Sequence, residues 1–290
     1  MKYLFLTSFP TIETAKLTGR KSRRTIMKTV GNVELFNELL NKYLNKNYIN
    51  NGSRLIRDYR SLIEKNSLCY TEGENYILFF EDCREFYNLY YFMPKLNPSL
   101  DRLDLNLNRT IVADVIYTGS NSEEASAHLL KADFKKYLTR SYRTLKLKPK
   151  DVKVSGSVKF AVRDEAVLIF KLQNKYIDKY TGNILTKEEI LNAAERNLIL
   201  CIHEGNNLAG YLRFAVNNKN VSLEGIAVDG KFRGKGYSKK LVEFFIDYFS
   251  SEGYNKIDLW VRDDNISAIK LYDFFDFKNT KYKCDNYIYG

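Results

Sequence analysis

The sequence predicts an α/β (α+β) fold, a mixed central sheet flanked by helices, built as two tandem units over residues 1–150 and 151–290. Three observations lead there. From residue 158 onward, short apolar runs alternate with segments of helical periodicity. A similar succession of runs fills residues 75–138. Between them lies KLKPKDVKVSGS (146–157), charged and carrying a proline and a Gly-Ser pair, which has the composition of a boundary.

In the second unit each element has a local reason. Val158 to Val162 reads as a strand, and Asp164 is placed to cap a helix over 165–177. Thr186-Lys-Glu-Glu189 has the spacing of a capping box and opens a helix to Arg196. LILCIH and LAGYLRFAV, separated by EGNN, predict a β-hairpin, and VSLEGIAV (221–228) a further strand. GYSKKLVEFFIDYFSSEG predicts a helix with Leu241, Val242, Phe245 and Phe249 on one face and Gly253 as its stop. KIDLWVR (256–262) has the apolar character of a buried parallel strand. Asn265 opens a last helix through Phe275, and KNTKYKCDNYIY predicts a closing strand pair.

The first unit is less regular. Residues 1–65 read as mostly helical, with an amphipathic stretch around VELFNELLNKYL. NYILFFEDCREFYNLYYFM (75–93) lines up with NLILCIHEGNNLAGYLRFAV (197–216), and TIVADVIYTG (110–119) with SLEGIAVDG. SEEASAHLLKADFKKYL follows as a helix. The first unit thus reads as a decayed copy of the second, with TGSNSEEAS where the second has a glycine-rich loop.

Composition excludes several classes. At 290 residues with 44% hydrophobic content, the chain is globular. MKYLFLTSFPTIETAK is too short in its apolar run for a signal peptide, and no stretch of about 18 apolar residues could span a membrane. Four scattered cysteines without a CxxC pair predict reduced thiols and a cytoplasmic protein, and two histidines leave no basis for a metal site. The net charge of +11 lies mostly in residues 1–150, where 25 Lys and Arg face 16 Asp and Glu. Such a unit suits an anionic partner, and equally a solvated surface.

The most informative stretch is VDGKFRGKGYSKKLVEFF (228–245), where a strand meets a helix across two glycines among cations. A helix N-terminus leaves about four backbone N–H groups unpartnered and carries roughly half a positive charge. A phosphate there accepts those hydrogen bonds, and glycines let the backbone approach it closely. Arg233, Lys235, Lys239 and Lys240 add charge at the rim. The spacing matches neither GxxxxGK[ST] nor GxGxxG, which excludes the P-loop and dinucleotide-fingerprint readings.

Arg233-Gly-Lys-Gly236-Tyr-Ser238 resembles the acyl-CoA loop, [Q/R]xxGx[G/A], of the GCN5-related N-acetyltransferase (GNAT) family, with Ser at the last position. GIAV before the loop resembles the end of that family's fourth strand. Downstream, Asn265, Ala268, Tyr272 and Phe277 match its NxxAxxxYxxxGF segment, with Asp276 in place of the glycine. Element order from about residue 155 to 290 is similar to a whole GNAT domain, and the first unit to a degenerate one.

The resemblance implies a role for each matching residue. Backbone amides of Arg233, Gly234, Lys235, Gly236, Tyr237 and Ser238 would hold the pyrophosphate of acetyl-CoA. The strands at 221–228 and 256–262 would splay, and pantetheine would pair with backbone near Ala227 and Val228, one N–H polarising the thioester. Asn265 would touch the cofactor arm, a role compatible with capping its helix. Tyr272 would protonate the leaving thiolate, since a phenol with a pKa near 10 stays protonated at neutral pH. Glu224, on the strand leading to the loop and on the face of Ile226 and Val228, is the candidate base, with His203 as a weaker one.

The implied activity is acetyl-CoA-dependent N-acetyl transfer to a small amine or peptide acceptor. Two other readings stand beside it. One is an aminoacyl-tRNA-dependent transferase of two GNAT-like units, with the basic stretch KADFKKYLTRSYRTLKLKPK on RNA, though basic stretches are ordinarily solvated faces and argue little for nucleic acid. The other is a non-enzymatic acyl-CoA-binding protein.

Overall fold

The structure, a computed structural model, describes residues 27–44, 47–51, 56–95, 100, 109–119, 122–150 and 156–290. The N-terminal segment read for a leader, part of the boundary at 146–157 and Ser120-Asn121 lie outside the described residues.

Thirteen strands of the described residues join in one sheet. In the first half these are β1 (Lys28–Thr29), β2 (Tyr48–Asn50), β3 (Leu68–Glu72), β4 (Ile77–Asp82), β5 (Phe86–Pro94), β6 (Thr110–Thr118) and β7 (Lys135–Lys146), with helices α1 (Val33–Tyr43), α2 (Ile56–Glu64) and α3 (Ser122–Lys131). The second half supplies β8 (Val158–Phe160), α4 (Ala166–Tyr176), α5 (Lys187–Glu195), β9 (Ile199–Glu204), β10 (Asn207–Asn217) and β11 (Asn220–Val228). It continues with α6 (Tyr237–Ser251), β12 (Lys256–Arg262), α7 (Ile266–Phe274) and β13 (Lys278–Tyr289).

Strand order is β1-β3-β4-β5-β6-β13-β7-β12-β11-β10-β9-β8, and it reads alike from both ends. Each half runs antiparallel until its last pair, β5 with β6 and β11 with β12, which is parallel. Beyond each parallel pair lies the final strand of the other half: β13 pairs with β6, and β7 with β12. The two exchanged strands then pair with each other at the centre. KNTKYKCDNYIY is therefore one long strand between β6 and β7, where the sequence pattern predicted a strand pair. Alternation is the same for both, so only the partner decides.

This symmetry corrects the alignment of the halves by one strand. TIVADVIYTG (β6) corresponds to KIDLWVR (β12), and β5 corresponds to SLEGIAV in β11. Apolar alternation cannot distinguish consecutive strands of a meander, whereas parallel pairing can. TGSNSEEAS therefore follows the counterpart of β12, and the place equivalent to the glycine-rich loop is the connection after Pro94. The helix predicted over SEEASAHLLKADFKKYL stops at Lys131, because KKYL opens β7. The basic stretch is thus mostly a central strand, with Arg140 paired to Asp114 and Arg143 to Asp273.

Helices cover both faces of both halves. Ile77, Phe79 and Phe92 pack under α1 and α2 with Phe36, Leu39 and Leu62. Leu78, Phe80 and Met93 face α3 through Leu129. In the second half, α6 buries Leu241, Val242, Phe245 and Phe249 on β9–β12, as its periodicity predicted, and α4 and α5 cover the opposite face. The Thr186–Glu189 capping box forms in full. Gly253 takes φ +68 as the helix stop. Asp164 does not cap α4: a 3-10 turn (Arg163–Glu165) precedes it, and the Glu165 carboxylate accepts the Val162 N–H at 2.8 Å.

Candidate active site

Two consecutive residues of β11 share one cross-strand place: Arg213 pairs with Gly225 and Phe214 with Leu223, so Glu224 is bulged out. A bulge bends its strand and increases the local twist. Here it coincides with separation: β11 pairs with β12 from Asn220/Lys256 to Leu223/Leu259 and no further, although both strands continue. The splay that the resemblance implied is present, and its local cause is this bulge.

Beyond the bulge one edge of β11 is free of strand partners among the described residues. The Asp229 N–H donates to the Ala209 carbonyl at 2.9 Å, so by alternation the amides of Ala227 point towards β10 and those of Ile226 and Val228 into the gap. Of the two residues assigned to pantetheine pairing, Val228 has its amide on the open side, and Ala227 is spent on the sheet.

The bulge also reverses the side-chain parity expected for Glu224. Ile226 and Val228 pack against the core under α6. Glu224 lies on the opposite face, lining a cavity of about 750 Å³. Trp260 joins it there, and both halves contribute to the walls, among them Glu81, Asp114, Arg140 and Tyr180. Asp114 is held by Arg140 at 2.7 Å, whereas Glu224 has neither ion pair nor hydrogen bond among the described residues. Its charge acts on Arg213, whose pKa is drawn down by burial and held up by Glu224.

Over the cavity runs a strap, residues 177–186, tied down through its backbone. Arg140 donates to the Thr181 carbonyl at 3.1 Å and Arg213 to that of Asn183 at 3.0 Å. Gln173 exchanges two hydrogen bonds with Leu185. Asp178 Oδ1 accepts the N–H groups of Tyr180 and Thr181, and Oδ2 accepts the Tyr137 hydroxyl at 2.6 Å. That last bond, to a carboxylate, pushes the Tyr137 pKa up to about 12.

At the other end of the gap stands the glycine loop. Asp229 caps a short 3-10 turn (Gly230–Phe232) by accepting the Lys231 N–H. Gly234 and Gly236 then take φ +80 and +77, and Gly236 is the N-cap of α6 with no side-chain capping bond. No atom lies within 4 Å of where either glycine's Cβ would stand. Left-handed backbone and open space in front are what an anion needs to reach the first N–H groups of α6.

Side chains around the loop are already engaged. Lys235 grips both oxygens of Glu204, at 2.7 and 2.9 Å, and the Tyr237 hydroxyl donates to the same carboxylate. These donors hold the Glu204 pKa below the ordinary range, Lys235 contributing most. Arg233 lies over the Tyr176 ring at 4.7 Å, and the Tyr176 hydroxyl accepts the Gly230 N–H at 2.7 Å.

Tyr272 is 4% exposed in the α6-side core beside Phe277, and burial raises its pKa. Its hydroxyl takes no hydrogen-bond partner among the described residues. Asn265 caps α7, its Oδ1 accepting the Ala268 N–H at 3.1 Å. Asp276 takes φ +67, so the turn expected of glycine forms with Asp in its place. His203 does not line the cavity, and its Nε2 is 2.6 Å from Glu165. The cavity walls, the strap and Glu204 escaped sequence reasoning, because residues far apart in the chain meet there without any common spacing.

Residues 166–277 match the family model described as Acetyltransferase (GNAT) family. This segment is a GNAT domain. The GNAT fold extends further along the chain. A GCN5-related N-acetyltransferase from Sphaerobacter thermophilus, 10% identical, superposes with a TM-score of 0.55 over 92% of this chain and 96% of its own. An acetyltransferase from the GNAT family of Colwellia psychrerythraea, 12% identical, gives 0.51 over 91% and 100%. A Drosophila protein, 10% identical, gives 0.51 over 91% and 98%. No curated protein sequence matches the chain. The GNAT domain thus contains the bulge, the gap and the glycine loop, while much of the cavity wall comes from outside it.

Proposed function

We propose that the GNAT domain transfers the acetyl group of acetyl-CoA to an amine held in the cavity, by direct attack within a ternary complex. The observation that carries this reading is the free edge of β11: past Glu224 its amides face a gap with the glycine loop at its mouth and the cavity at its inner end. The residues present fit the cofactor. Open space before Gly234 and Gly236 admits a pyrophosphate, and the uncapped start of α6 offers it N–H groups. A cavity of about 750 Å³ is of the size that takes a small-molecule acceptor or a short peptide end.

Acetyl-CoA, when bound, supplies an activated thioester whose C–S bond gives way to the C–N bond of the product amide. With acetyl-CoA bound, an amide of the free β11 edge, from Ile226 or Val228, would donate to the thioester carbonyl oxygen. Glu224, unpaired on the cavity face, would accept the proton that the amine loses and pass it to solvent. Tyr272, kept protonated by burial, would protonate the thiolate and recover a proton from solvent. In this reading residues 151–290 are the catalytic unit, and residues 1–150 supply cavity wall. The four cysteines are free thiols, which fits a reducing, cytoplasmic setting.

Thermal unfolding with acetyl-CoA, against ATP and NAD, tests the proposal. A ligand at 100 times its dissociation constant stabilises by about 2.7 kcal/mol, a shift of a few degrees for a chain of this size. A shift specific to acetyl-CoA is expected. None at saturation would sink the reading.

A further inference from the structure

The cavity is acidic in a basic protein. Six of its described lining side chains are carboxylates and four are cations, although the chain carries a net charge of +11. Two of the cations are spent on carboxylates, Lys65 on Glu189 at 3.2 Å and Arg140 on Asp114 at 2.7 Å. The other two are exposed. Arg84 donates to the Ile184 carbonyl at 3.5 Å, and Lys179 lies over the Tyr180 ring at 4.6 Å.

The facing walls come from different halves of the chain. Lys65 lies just ahead of β3 and its partner Glu189 on α5, while Arg84, ahead of β5, reaches the strap. The first half is thus folded over the face of the second, with Glu81 on one wall and Glu224 on the other. Two neutral donors orient Glu81, the Tyr90 hydroxyl at 2.6 Å and the Asn88 amide at 3.1 Å. Between the two carboxylates in strand order stands Asn286 of β13, fully buried. It gives its Nδ2 to Asp114, and its Oδ1 has no donor among the described residues. Alternation puts it on the face of Cys284, which lines the cavity.

Walls rich in acceptors suit a ligand rich in donors, and an ammonium is three donors with no acceptor. A peptide finds few partners here. The strap carbonyls of Thr181, Asn183 and Leu185 are taken by Arg140, Arg213 and Gln173, and the face of a sheet presents side chains. Phe86, Phe170 and Ile177 offer apolar wall to methylenes instead.

We propose that the acceptor is a linear aliphatic polyamine, its reacting amine at Glu224 and a second ammonium at Glu81. The proposal rests on the acetyl-transfer reading above and names its acceptor. The reacting end, with a pKa near 10, enters as an ammonium with three N–H bonds and leaves as an amide with one. One proton goes to the sulfur as the C–S bond breaks and the other through Glu224 to solvent. The far ammonium keeps its charge. Glu81 is then a specificity residue that the first half supplies to the second.

Initial rates at saturating acetyl-CoA test this with butylamine, putrescine, spermidine and spermine. The best polyamine should exceed butylamine in kcat/KM about tenfold, a charge-assisted contact being worth about that much. Glu81→Gln should raise the KM for that polyamine about tenfold with kcat little changed, as loss of uniform binding does. Glu81→Asp, which keeps the charge, should restore most of the loss, and the melting shift with acetyl-CoA reports whether each variant is folded. Butylamine as good as every polyamine would overturn the proposal, whatever the variants do. So would a folded Glu81→Gln variant with an unchanged KM. If acetyl-CoA gives no melting shift, the acetyl-transfer reading falls and this proposal with it. A shift without acetylation of any polyamine overturns this proposal alone.

Discussion

The two parallel strand pairs, β5/β6 and β11/β12, begin alike and end differently. Each pairs over four residues and then parts, at Leu89/Ala113 and at Leu223/Leu259. In the first half the chain fills the gap itself. β2 pairs with Phe92–Pro94, and the Asn51 side chain stands in for a strand, donating to the Leu89 carbonyl and accepting the Tyr91 N–H, both at 2.8 Å. In the second half no described strand takes that place, and a left-handed glycine loop stands at the entrance. The same topological defect is thus closed by protein in one half and, in the function proposed above, left for a ligand in the other. Backbone groups exposed by a splay must be satisfied somehow, and the two halves represent the two available solutions.

That comparison can be broken most sharply at the loop. Gly236→Glu places a side chain at φ +77 and a negative charge before the α6 N-terminus, and should abolish the acetyl-CoA melting shift. A retained shift would mean that the second gap is not the cofactor's. Next in size, Tyr272→Phe should lower turnover about 10²- to 10⁴-fold, the range for loss of a general acid, while acetyl-CoA affinity stays within about twofold of the original. Equal turnover would remove Tyr272 from the chemistry.

The closed gap can be tested through its plug. Asn51→Ala strands one buried carbonyl and one buried N–H, at about 1–3 kcal/mol each. Chemical denaturation should therefore show a loss of about 2–6 kcal/mol, with acetyl-CoA still binding once per chain. A second equivalent of bound acetyl-CoA would show that only the plug separates the halves.

A smaller difference between the halves concerns pH. His128 on α3 is buried edge-on to Tyr91, neither ring nitrogen has a partner, and burial pulls its pKa down to about 4. The unfolded chain, with an ordinary histidine near 6.5, then binds more protons than the folded one between pH 6.5 and 4. Stability from this group is full above pH 6.5 and is lost as pH falls towards 4, by up to about 3 kcal/mol. His128→Leu should flatten that limb of the stability curve, and an unchanged slope would remove His128 as its source.

The sequence made the second half legible because its signals are local: the capping box at Thr186, the apolar face of α6 and the stop at Gly253 each depend on near neighbours. The loop was legible for the same reason, two glycines and a helix start being a contiguous pattern. The face of Glu224 was not, because one bulged residue reverses parity and nothing in VSLEGIAV announces it. The cavity was not, because Glu81, Arg140, Tyr180 and Trp260 meet only through the exchange of β7 and β13. The register between the halves was misread by one strand, since pairing direction leaves no mark on apolar alternation.

The exchanged strands also set an order of events during synthesis. β6 cannot have its second neighbour until residues 278–289 have been made, about 140 residues after β7 is available. Until then the first half must wait on the ribosome with an open seam in its sheet, an edge suited to pairing with a stranger. A chain truncated after residue 277 should be less protease-resistant within residues 75–119 than one that includes β13. A sheet that is symmetrical when finished is therefore built asymmetrically, and its most vulnerable moment comes just before residues 278–289 take their place.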